Sequence, residues 1–147
     1  MLIINTPPQY MDIIQHPHHF YEFIFKAKSP SHLAFDEWLI YIEQIYQFPK
    51  STPVKILTDV RPIGTVPLAY AFRKAQPLVA KYPQRPKPIR SVFMGIESNM
   101  ILEKMLKSFL QLLRTGDHYM VVYGEARTEA LDFLFIHEPD NHPQKVK

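Results

Sequence analysis

Residues 54–76 read V-K-I-L-T-D-V-R-P-I-G-T-V-P-L-A-Y-A-F-R-K-A-Q, and this stretch decides the fold. Val54, Ile56, Leu57 and Val60 make a short run with apolar residues on both sides, as a strand covered on both faces requires. Arg61 to Gly64 then carries the Pro and Gly of a turn. Beyond it Leu68, Phe72, Ala75 and Val79 recur at helical spacing, with Arg73, Lys74 and Lys81 opposite. The unit is a central strand feeding a helix through a tight turn. Thr65 is placed to cap that helix, and Pro67 falls in its first turn, where a missing N–H costs nothing. Pro77 is expected to kink the helix or to end it near Gln76.

Toward the amino end, Phe48 to Pro53 is a loop, and the helix before it spans about His32 to Gln47. Its stripe is Phe35, Trp38, Leu39, Ile42, Ile45 and Tyr46. Ser31 is placed to cap it, with Asp36 and Glu37 near its positive end. Before that, Tyr10 to Lys28 reads Y-M-D-I-I-Q-H-P-H-H-F-Y-E-F-I-F-K-A-K. Its aromatic and β-branched residues form two strands of a hairpin parted near Gln15 to His18, where Pro17 suits a connection.

Toward the carboxyl end, Lys81 to Arg90 is an extended, Pro-rich, basic connector, read as a solvated loop. Strand character returns from Ile89 to Gly95. Ser98 or Asn99 caps a third helix with the stripe Leu102, Met105, Leu106, Phe109 and Leu113, stopped by Thr115-Gly116. Tyr119 to Tyr123 is a short buried strand. Glu125 to Ile136 is a last helix with Ala130, Leu131 and Leu134 inward. The order β-β-α-β-α-β-α-β-α defines an α/β fold: a mixed sheet with an N-terminal hairpin, mostly parallel beyond it. One domain is expected over 1–147, with its core at about 10–136 and with loose amino-terminal residues and a loose tail at 137–147.

The chain has 147 residues, 46% of them hydrophobic and 21% charged, with a net charge of +3. That excess is too small for a nucleic-acid footprint, so no nucleic-acid partner is expected. The absence of cysteine removes disulfides, thiolate nucleophiles and Cys-bearing metal sites. No apolar run approaches the roughly 20 residues of a membrane span, and the amino end lacks a basic start, so a cytoplasmic protein is expected.

With V-K-I-L-T-D-V ending its third strand, with Pro88 to Phe93 and with Tyr119 to Ala126 leading into a short helix, the chain resembles the STAS superfamily. That superfamily includes bacterial anti-sigma-factor antagonists. The later rhythm is similar to its bacterial STAS/SEC14-like branch, and the resemblance covers roughly Tyr10 to Ile136. It implies a non-enzymatic protein-interaction module of bacterial signalling that works through the turn and the helix after the third strand. In the signalling members a phosphorylatable Ser follows an Asp at that helix start. Thr65 is the nearest match here, although the Asp-Ser pair is missing and Pro62 and Pro67 flank a shorter turn. The resemblance also implies an alternative, a carrier or sensor of a small, lipid-like apolar ligand.

Candidate site residues therefore gather at Asp59, Arg61, Gly64 and Thr65, as a partner or ligand contact and a phospho-switch. Asp59 at a strand end accepts hydrogen bonds readily, and Arg61 would pair with a phosphate on Thr65. The plainer reading is that Asp59 ties down its own turn and Thr65 caps its helix. No catalytic motif is present, and a third reading, an enzyme using Asp59 and a nearby His, has no spacing in its favour. His16, His18 and His19 lack further ligands at metal-binding spacing, so no metal and no cofactor are expected. A protein partner is expected, and exposed edge strands would make a homodimer.

Overall fold

The computed structural model describes residues 1–64, 67–95, 104, 107, 108, 111 and 117–136. Its elements are β1 (Met11–His16), β2 (Phe20–Phe25), α1 (Ser31–Tyr46), β3 (Val54–Asp59), a 3₁₀ turn (Arg61–Ile63), α2 (Leu68–Lys81), β4 (Ile89–Gly95), β5 (His118–Tyr123) and α3 (Arg127–Leu134). The predicted third helix falls mostly outside the described residues. Those of its residues that are described, Lys104, Lys107, Ser108 and Gln111, are helical and exposed. The tail from residue 137 also lies outside them.

The five strands form one sheet in the order β1-β2-β3-β4-β5, with β3 central as expected. β1 and β2 are an antiparallel hairpin, and every later neighbour is parallel. The fold is thus α/β with a mixed sheet. The hairpin turns at Pro17–His19, one residue later than expected, and His18 and His19 take left-handed backbone at φ 65° and 55°. Because each parallel connection steps to the next strand in the same direction, right-handed crossovers place α1 and α2 on one face of the sheet. They pack against each other there.

Period-two alternation sorts the strands into two cores. Tyr21, Phe23, Phe25, Val54, Ile56 and Ile89 meet Phe35, Ile42, Ile45 and Tyr46 of α1. Phe20, Leu57, Val92, Met94 and Val122 meet Ala130, Leu131 and Leu134 of α3 on the opposite face. Thr58 is fully buried in the central strand, and its hydroxyl is satisfied by the Trp38 indole N–H at 3.2 Å.

Several local expectations change. Ser31 opens α1 rather than capping it, and Pro30 holds the cap position without a side-chain bond. Pro67 likewise precedes α2, which begins at Leu68. Pro77 does not end α2, which runs on to Lys81. The carbonyl that Pro77 leaves without a donor is that of Arg73, and both residues are exposed, so water can satisfy it. β5 is only partly buried because it is an edge strand, with Val122 alone sealed. The basic connector is not wholly solvated: Arg85 is buried, with its Nε 3.5 Å from the buried Asp117 carboxylate.

The sequence reading leaves the amino terminus loose; in the structure Leu2 is 3% exposed within the α1 core. Side chains hold the arm through its backbone. Gln15 Oε1 accepts the Leu2 N–H at 2.9 Å, and Gln44 makes a reciprocal pair with Ile3 at 2.8 and 3.0 Å. The Glu37 carboxylate accepts the N–H groups of Gln9 and Tyr10 at 2.7 and 2.8 Å.

Candidate functional site

β3 delivers Asp59 to the carboxyl edge of the parallel strands, and the chain turns at once. The Val60 N–H still donates to Met94 O at 3.0 Å, so the sheet continues one residue past the side chain of interest. The 3₁₀ turn then closes on Gly64, whose N–H donates to Arg61 O at 3.2 Å. Gly64 sits at φ 73°, a conformation that L side chains rarely adopt.

Within this turn Asp59 Oδ1 accepts the Arg61 backbone N–H at 3.1 Å and Nε at 2.9 Å, while Oδ2 accepts Nη2 at 2.8 Å. Both carboxylate oxygens are therefore engaged by one residue, in the bidentate geometry that a planar guanidinium permits. Those bonds raise the Arg61 pKa, so it stays cationic. The other side of the guanidinium reaches across the fold. Nη1 donates to Gly124 O at 2.9 Å and to Glu125 Oε1 at 3.3 Å. Gly124, at φ 65°, makes the turn between β5 and α3 and donates to Gly95 O at 2.8 Å. Asp59 and Arg61 thus weld the end of β3 to the turn after β5. Among the described residues no histidine bonds Asp59, and Thr65 lies outside them.

A second polar unit lies beside the first. Glu22, opposite Leu57 in the β2–β3 register, shares the α3 face of the sheet with Asp59. It is buried, and the first residue of α3, Arg127, donates to Glu22 Oε1 at 2.5 Å and to Oε2 at 3.0 Å. His16 Nε2 sits 2.5 Å from Glu22 Oε2. Burial pushes the Glu22 carboxyl pKa up, but the bonds from Arg127 and His16, with their charges, outweigh it and hold it below the usual carboxylate value. Arg127 stays cationic because Glu22 bonds it, with Asp59 adding to the attraction. The reading of the sequence missed this unit. Its one signal is a lone acid in F-Y-E-F-I-F, a position that must face a core and therefore needs a cation.

The three histidines do not converge. His16 serves Glu22, His19 Nδ1 lies 3.2 Å from the Tyr21 hydroxyl, and His18 is exposed. Among the described residues no group of three or more His, Asp or Glu is placed to hold a metal ion. Nor is any helix among them long and apolar enough to cross a membrane.

Beyond the turn, α2 differs from its neighbours. α1 buries six residues and α3 three, whereas none of the fourteen residues of α2 is buried. Its apolar stripe of Leu68, Phe72, Ala75, Leu78 and Val79 is only half-buried. Comparison of the chain with family models, curated proteins and solved structures gives no match.

Proposed function

We propose that the chain is a protein-association module of signalling, resembling STAS domains, whose contact surface is the Asp59–Gly64 turn together with α2. The carrying observation is that α2 seals none of its residues although its sequence is amphipathic. An amphipathic helix that has found its final surface hides its stripe, and one kept half-open keeps apolar area for a partner. The rigid turn supports this reading. Arg61 fixes the turn after β3 by bonding across to the β5–α3 turn, so this part of the surface spends little entropy on binding.

Native mass spectrometry of the protein taken from its own cells tests the reading. A stoichiometric protein complex is expected, and it should be lost when Ala69 and Ala80, both exposed on α2, are replaced by Arg. A complex that survives those replacements would move the contact elsewhere. A small organic adduct that departs on denaturation would favour the ligand carrier instead.

A further inference from the structure

Tyr70, in the first turn of α2, is pinned to α1. Its hydroxyl donates to Asp36 Oδ1 at 2.6 Å, and the His32 ring meets it edge-on with centroids 4.5 Å apart. Onto this fixed ring two cations fold: the Arg73 guanidinium lies 5.7 Å from the centroid and the Lys74 ammonium 5.5 Å. Both residues are exposed. Several other cations of the fold already have acids. Arg61, Arg85, Arg127 and Lys81 lie 2.8, 3.5, 2.5 and 3.0 Å from Asp59, Asp117, Glu22 and Glu43. Among the described residues, Arg73 and Lys74 have no such carboxylate, and α2 itself contains no acidic residue.

We propose that this ring-mounted pair of cations docks an acidic protein segment, one presenting neighbouring Asp or Glu carboxylates to α2. The inference rests on the association module above and adds the chemistry of its partner. Long basic side chains ordinarily lose rotamer freedom when they pair, and the Tyr70 ring has already taken part of that loss. Two adjacent unmatched charges steer an oppositely charged partner and reject a basic one. A nucleic acid fits less well, because it needs a broad cationic face and this one offers two charges, on the side of α2 away from its apolar stripe.

The test is fluorescence anisotropy of a labelled oligoglutamate peptide with the full chain at low salt. Arg73→Glu/Lys74→Glu is compared with Lys50→Glu/Lys87→Glu, a control with the same change in net charge at two exposed lysines brought together by the Lys87 N–H to Lys50 O bond. The α2 pair is expected to weaken binding about tenfold or more, and the control about twofold at most. Tyr70→Leu keeps every charge and should still weaken binding about threefold, because the cations lose their mount. Thermal melts of each variant confirm folding. Equal losses in the two charge reversals would overturn the proposal, as would tighter binding of oligothymidylate than of oligoglutamate. The two readings fail separately. A native complex indifferent to Arg73 and Lys74 leaves the module standing and removes the acidic partner, whereas peptide capture on α2 without any native complex does the reverse.

Discussion

Replacing Arg127 with Met should weaken the acid-range pH dependence of stability that Glu22 contributes. In the native chain the Glu22 side chain is 4% exposed and that of Arg127 36%. Removing one partner of a fully buried pair costs about 3–5 kcal/mol; the partial exposure of Arg127 lowers the expectation to about 2–3 kcal/mol. For a domain of this size that is a fall in Tm of about 6–10 °C. The sign follows from linkage. With Arg127 present the folded pKa of Glu22 lies below its unfolded value, so the stabilisation is in place above about pH 4.3 and is lost as pH falls through the folded pKa. Without Arg127 only the bond and charge of His16 still oppose burial, and the folded pKa of Glu22 rises. The cost of the replacement then grows as pH climbs from about 4, and acid relieves it. Urea unfolding at a series of pH values reads this directly: the deficit of Arg127→Met against the native chain should shrink steadily on acidification. The double variant Glu22→Gln/Arg127→Met removes the stranded charge and should recover about 1 kcal/mol or more of the loss at neutral pH. A deficit that stays constant with pH would refute the reasoning, since it would mean that Glu22 is not a sealed carboxylate dependent on Arg127.

Three further outcomes are expected. Burial pushes the Asp117 carboxyl up to about 6, with Arg85 offsetting only part of the effect, so an NMR titration should find that midpoint. Because the folded state then holds the extra proton between the unfolded value and about 6, the stability contributed by Asp117 should fall as pH rises through that window. Lys28 is exposed at φ 64°, and Lys28→Gly should raise the urea midpoint by the equivalent of about 0.5–1 kcal/mol. Glu37→Ala should speed hydrogen exchange at the amides of Gln9 and Tyr10, which lose their acceptor, while leaving exchange in β3 unchanged.

What could be read from the sequence and what could not divide along the distance over which residues act. Val54 to Asp59, the Pro/Gly turn and the stripe of α1 declare themselves through periods of two and 3.6, because alternation and helical spacing are local consequences of backbone geometry. Asp59 and Arg61, two residues apart, were legible for the same reason. Glu22 and Arg127 were not, being 105 residues apart, and only the sheet order and the placement of α3 bring them together. Arg85 looked like one charge in a basic loop until the start of β5 supplied Asp117. Pro77 misled because its cost depends on whether the freed carbonyl meets water, a property of the assembled surface. The arm was hidden because its clamps read backbone atoms, so no side-chain pattern betrays it.

That arm sets an order of events for a chain made from its amino end. Its anchor, Leu2, is made well before its seat, which is finished only when Gln44 and the last turns of α1 exist. The arm must therefore wait with Leu2 exposed until α1 has been made. The same geometry tells an experimenter where to attach a handle. Met1 is 85% exposed and points a tag into water, whereas trimming one residue further would pull out the peg on which the arm hangs.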